Sequence, residues 1–122
     1  MQIGHLIAEK DRVLHSSRQP VIVCFGDSIT QGCFECYSEN GQLQTVFEAG
    51  ESYGEKLKKI LQLLFPAVPV TIVNAGISGG RARGGLARLQ RDVLSYQPDL
   101  VIICFGVNDA TAGEAGLKEY VT

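Results

Sequence analysis

Val21-Ile22-Val23-Cys24-Phe25-Gly26-Asp27-Ser28-Ile29-Thr30 decides how the rest of the chain is read. The first five residues form a continuous apolar run, the pattern of a strand covered on both faces in a parallel sheet. The run stops at a glycine, and a serine hydroxyl follows two residues later. In open α/β sheets the carboxyl ends of the strands form the crevice where ligands bind, so Ser28 stands where a nucleophile is useful. A serine after a strand also serves as a helix cap or closes a turn, and its company in the fold must decide between these readings.

Two further strand ends carry matching polar residues. Val70-Thr71-Ile72-Val73 runs into Asn74-Ala75-Gly76-Ile77-Ser78-Gly79-Gly80, and Leu100-Val101-Ile102-Ile103-Cys104-Phe105 runs into Gly106-Val107-Asn108-Asp109. Parallel strands would set the three turns side by side. Gly76 lets the backbone approach a bound atom and point its N–H inward, and the Asn108 amide donates without needing ionisation. With the Ser28 N–H they form a candidate oxyanion hole for acyl transfer. Taken singly, Gly76 eases a turn and Asn108 or Asp109 caps a helix; taken jointly, the three favour chemistry.

Around these turns helix and strand alternate. An amphipathic helix over Leu6–Ser16 precedes the strand Val21–Phe25, and a long loop runs from Gln31 to Gly50. A helix over Ser52–Phe65, punctuated by Pro66 and Pro69, leads to a strand over Val70–Asn74. A helix over Gly84–Tyr96 leads to the strand Leu100–Phe105, and another helix begins near Gly116. This order predicts an α/β fold with a parallel sheet of about three strands between helical layers. No repeat or linker divides residues 1–122, which read as one domain. Thr30 occupies the last place of what would be a G-x-S-x-G elbow, and neither a dinucleotide fingerprint nor a P-loop is present.

With Gly26-Asp27-Ser28 as first block, Gly76 within Asn74-Ala75-Gly76 as second and Gly106-Val107-Asn108-Asp109 as third, the chain resembles the SGNH, or GDSL-type, serine hydrolases. The resemblance implies a flavodoxin-like three-layer α/β/α fold and hydrolysis of carboxylic esters through an acyl-serine intermediate on Ser28. It assigns the oxyanion to the Ser28 N–H, the Gly76 N–H and the Asn108 side chain, and calls for no metal or organic cofactor. The partner is a small-molecule ester: a short acyl ester, a lysophospholipid, a thioester or an acetylated sugar. Asp27 pins the Ser28 turn by accepting backbone donors, and with Arg81, close behind the Gly76 turn, it is placed at the substrate-binding edge.

The family's fourth block, an Asp-x-x-His that supplies the general base, has no counterpart here. Serine is a weak nucleophile without such a base. The chain has two histidines, His5 and His15, both ahead of the first strand. His15 belongs near the strand end opposite Ser28, roughly 20 Å away at ~3.3 Å per residue. His5 would be carried back toward Ser28 only by an antiparallel helix, and reads as solvent-facing. If the second and third strands flank the first, the apolar run from Leu100 becomes an exposed edge, which predicts self-association. The reading is therefore of a domain truncated at its C-terminus. The alternative is a catalytically incomplete piece, or a non-enzymatic flavodoxin-like module whose Gly76–Gly80 loop cradles an anion.

At 122 residues and 45% hydrophobic content the chain can bury a core, and its net charge of -2 gives no reason to expect nucleic acid. Charged residues interrupt the first 17 positions, ruling out a secretory h-region there, and no apolar stretch is long enough to span a bilayer; the default is a cytoplasmic protein. Cys24 and Cys104 lie inside apolar strands as small hydrophobes. Cys33 and Cys36 have C-x-x-C spacing but lack the further ligands of a zinc site and the strand-to-helix placement of a thioredoxin motif, so they read as a loop pair exposed to oxidation. Arg81, Arg83, Arg88 and Arg91, near Asp92, read as a solvated helix face.

Overall fold

The computed structural model describes residues 3–15 and 18–121. In chain order the elements are α1 (Ile3–Arg12), β1 (Val21–Gly26), α2 (Ser28–Gln31), β2 (Cys33–Glu39), β3 (Gln42–Phe47), α3 (Tyr53–Leu64), β4 (Thr71–Gly76), α4 (Ala82–Asp92), β5 (Leu100–Cys104), α5 (Val107–Ala110) and α6 (Gly113–Val121). Single 3-10 turns lie at Ala49–Glu51 and Leu94–Tyr96.

The sheet has the order β4-β1-β5, all parallel. Apolar side chains alternate between its faces. Ile22 packs with Ile7 of α1, Val68, Val70 and the α3 residues Leu57 and Leu61. Val23 and Phe25 point the other way, onto Ala75, Val93, Leu89 of α4 and Phe105. Helices thus cover both faces of a three-layer α/β/α arrangement. Val23 and Ile22 are essentially inaccessible, each burial contributing roughly 1.5–3 kcal/mol. Gly54 lets α3 approach β1, since a methyl there would meet the Cys24 sulfur at 3.2 Å.

Register positions the site. Gly26 pairs with Gly76 on one side and with Cys104 on the other, so the three strands end at one level. β5 pairs only with β1 among the described residues, and Ile103 on it is 66% exposed, so the Leu100 run is half-buried and sits at the sheet edge, where the flanking order expected it.

Several boundaries differ from the sequence reading. The first helix ends at Arg12 instead of Ser16, and Ser16 lies outside the described residues. The helix read as continuous to Tyr96 stops at Asp92, because Val93 (φ -128°, ψ -64°) turns inward as a fully buried core residue. The last helix begins at Gly113, whose φ of 60° starts it after α5; Thr122, included in the predicted segment, lies outside the described residues.

The largest correction concerns the loop Gln31–Gly50, which is an antiparallel hairpin of β2 and β3. Its two-residue turn is Asn40-Gly41, with φ of 52° and 77°, the left-handed pair of a type I′ turn. A bulge between Cys33 and Glu35 breaks the period-2 pattern that would have revealed the strand. The hairpin base is closed by Glu48 N–H donating to Gly32 O at 2.9 Å.

Candidate active site

The Ser28 turn follows from local chemistry. Asp27 is 1% exposed and caps α2: its Oδ1 accepts from Ile29 N–H at 3.0 Å, while its own N–H donates to Cys104 O at 3.3 Å. Ser28 is therefore the first residue of a single helical turn, closed by Gln31 N–H to Asp27 O and Gly32 N–H to Ser28 O, both at 3.0 Å. A first helical residue has no helical carbonyl to accept its N–H, so the Ser28 amide is available to a ligand. Gly26 has no alternative residue, because a methyl would lie 2.1 Å from Thr30 Oγ1 and 2.4 Å from Cys104 O.

The second turn meets the first through Gln31, whose carbonyl accepts from Asn74 Nδ2 at 3.4 Å and whose Oε1 accepts from Ser78 N–H at 2.7 Å. Gly76 is needed for this close approach: a methyl on it would stand 2.2 Å from Gln31 N. Its N–H, however, donates to Asn74 Oδ1 at 3.0 Å, so it is not presented as a free donor. Gly79, three residues on, has a φ of 74°, open space around its Cα and no acceptor on its N–H among the described residues.

Asn108, in the first turn of α5, reaches both neighbours: Nδ2 donates to Gly80 O at 3.0 Å and to Asp27 Oδ2 at 3.4 Å. The structure therefore brings together Asp27, Ser28, the Gly76–Gly80 turn and Asn108. Arg81 stands at the start of α4, exposed and without a capping bond; the buried Asp109 carboxylate caps that helix instead, accepting Ala82 N–H at 3.2 and 3.3 Å.

Arg88 was read as part of a solvated face and is a correction. Its side chain is 11% exposed and points inward, while Arg91 is the exposed member of the pair. The guanidinium donates to Gly26 O and to Ala75 O, each at 2.8 Å, and to Asp92 at 3.1 Å. It also lies 4.5 Å above the centroid of the Phe25 ring and 5.8 Å from that of Phe105. Arg88 thus adds a second, charged donor to the Gly26 and Ala75 carbonyls where β1 and β4 end. Salt bridges and hydrogen bonds from Arg91 and Arg88 hold the Asp92 carboxyl down at about 2.

Tyr53 shares a 3.0 Å hydrogen bond with Thr30 of α2, and burial pushes its phenol up to about 12. It lines a cavity of about 160 Å³ with Ile29, Gly32, Cys33 and Phe34, beside the Ser28 turn. His5 and His15 are both exposed, and α1 packs its Ile7 against Ile22 at the beginning of β1, far from the Ser28 end. Among the described residues nothing hydrogen-bonds to Ser28 Oγ, and no three metal-binding side chains cluster. Among the described residues no helix is long and apolar enough to cross a membrane.

The acetylxylan esterase of Geobacillus stearothermophilus is 35% identical over 89 residues, covering 72% of this chain and 39% of the relative. Among solved structures, the SGNH-hydrolase family esterase AlinE4 is similar at 34% identity with a TM-score of 0.57, over 80% of this chain and 45% of that one. A two-domain esterase active on acetylated mannans is similar at 28% identity with a TM-score of 0.64, over 87% of this chain and 24% of that one. The chain thus spans about two fifths of the acetylxylan esterase and less than half of either solved relative. Residues 24–120, which contain all three strand-end turns, match the model of the GDSL-like lipase/acylhydrolase family, and the chain belongs to that family.

Proposed function

We propose that this chain carries the nucleophile and oxyanion donors of a carboxylic-ester hydrolase, with acetyl esters of saccharides as the first substrate class to test. The observation that carries the reading is the common level at which β1, β4 and β5 end, which gathers Ser28, the Gly76–Gly80 turn and Asn108. The saccharide preference rests on the names of two relatives, an acetylxylan esterase and an esterase active on acetylated mannans.

In the mechanism, Ser28 Oγ attacks the ester carbonyl and the alkoxide leaves as the acyl-serine forms. The Ser28 N–H and the Asn108 Nδ2–H donate to the developing oxyanion; the 3.4 Å bond from Asn108 to Asp27 is the weaker of its two and yields first. The third donor comes from the second turn. Gly76 gives its own N–H to Asn74 and shapes the turn, so we assign the donation to Gly79. Asp27 holds the turn, and exposed Arg81 borders the substrate mouth next to Gly80. Attack also requires a base to take the Ser28 proton, and neither histidine of the chain is placed to do so; turnover by this chain alone is slow.

The test is p-nitrophenyl acetate treatment of the chain and of Ser28→Ala, with intact-mass detection of the acetyl adduct alongside release of p-nitrophenol. A single adduct mapping to Ser28, absent in the variant, is the expected result. Equal release and no Ser28 adduct would favour the reading in which the three turns bind an anion without chemistry.

A further inference from the structure

The Cys33 and Cys36 sulfurs lie 3.4 Å apart. Three residues along a regular strand would put them on opposite faces. The bulge at the base of the hairpin changes this: Cys33 pairs with Phe47 and Glu35 with Val46, so one extra residue, Phe34, is accommodated between successive pairs. The insertion turns an odd spacing into the same-face spacing of alternate residues. Cys36 is exposed and faces Thr45 across the hairpin, and Cys33 is half-buried against the cavity beside Ile29. The remaining cysteines, Cys24 and Cys104, belong to sheet strands and make no such contact.

We infer that Cys33 and Cys36 form a reversible disulfide across the Phe34 bulge, a redox-modifiable site on the wall of the cavity beside the Ser28 turn. Bond formation from the observed contact requires roughly 1.4 Å of travel, within reach of side-chain rotation. The oxidant is a low-molecular-weight disulfide. The Cys36 thiolate attacks one of its sulfurs and expels the first small thiolate, leaving a mixed disulfide. Cys33, after releasing its proton to solvent, attacks the Cys36 sulfur and expels the second. Two protein thiols are oxidised by two electrons, one small disulfide is reduced to two thiols, and the two protons end on those thiols. The hydrogen bond to Cys36 raises the Cys33 thiol above its ordinary range, consistent with its acting second. Among the described residues no third metal-binding side chain joins the pair, which favours dithiol over metal chemistry.

The ring closed by this bond contains Phe34 and Glu35, so oxidation fixes the bulge and with it one wall of the cavity next to α2. The inference is independent of whether Ser28 is a nucleophile. Its test is equilibration of the full chain with oxidised glutathione, alkylation of remaining thiols, and intact-mass and peptide analysis. The expected product has lost two of its four free thiols, carries no retained glutathione, and yields a peptide linking Cys33 to Cys36. Cys33→Ser and Cys36→Ser should each stop at a stable mixed disulfide on the surviving sulfur, while Cys104→Ser should behave as the parent chain. Retention of glutathione by the parent chain, a link involving Cys24 or Cys104, or four thiols still free would each overturn the inference.

Discussion

Replacing Arg88 by methionine keeps the length and apolar stem of the side chain while removing its donors. The Gly26 carbonyl loses a 2.8 Å charge-assisted bond but keeps the Ile77 N–H at 3.1 Å, so its loss is partial. Ala75 O likewise loses a 2.8 Å donor but keeps the ladder bond from Gly26 N–H that the Gly26–Gly76 register implies, so its loss is also partial, at a cost of about 1–1.5 kcal/mol. Loss of the charged bond to Gly26 adds about 1.5 kcal/mol, and loss of the cation above Phe25 about 1 kcal/mol, partly offset by sulfur–ring contact. Together these predict a destabilisation of about 2–4 kcal/mol, a sizeable fraction of the 5–15 kcal/mol typical of a domain. Urea denaturation followed by far-ultraviolet circular dichroism measures it. Arg88→Lys should fall between, since one ammonium cannot match the planar fork, and Arg91→Met, at an exposed site, should be indistinguishable from the parent. If Arg88→Met unfolds within about 1 kcal/mol of the parent chain, the guanidinium does not clamp the strand ends.

Two further outcomes follow from the same geometry. The Tyr53 phenol is raised to about 12 by burial, so the neutral form is favoured in the folded state. Its contribution to stability is complete below the ordinary tyrosine value of 10.0 and is lost as pH rises through about 12. Absorbance at the tyrosinate band should show one of the four tyrosines titrating late, and Tyr53→Phe should remove that phase; simultaneous titration of all four would contradict the burial argument. Gly76→Ala places a methyl 2.2 Å from Gln31 N, backbone that must move, and should destabilise the chain by about 1–3 kcal/mol and slow Ser28 acylation at least tenfold. Unchanged melting and acylation in this variant would show that α2 does not sit where described.

The sheet was legible because its strands are unbroken apolar runs ending in glycine-bearing polar turns, and that pattern survives without any tertiary information. The side-by-side placement of Ser28, Asn108 and the second turn followed from the same runs. The hairpin was not read, although Asn40-Gly41 between two stretches containing aromatic and β-branched residues was its signal; the bulge at Phe34 hid the alternation. Arg88 was misplaced for a different reason. Its neighbours in sequence are polar and charged, and what draws it inward, the Gly26 and Ala75 carbonyls and the Phe25 ring, comes together only at the strand ends of the folded sheet. Gly76 and Gly79 are equally good glycines in one dimension, and only the fold shows that the Asn74 side chain accepts the Gly76 N–H.

The hairpin leaves the chain at Gly32 and returns at Glu48, and those two residues are already joined by a backbone hydrogen bond. Residues 33–47 are therefore an insert whose two ends meet at one point of the scaffold. Phe34, Tyr37, Leu43 and Phe47, its large exposed side chains, lie away from the strand ends that hold Ser28 and Asn108. Specificity in such a scaffold can diversify by exchange of a whole insert between relatives, and an engineer wishing to retarget the pocket has a natural splice site on either side.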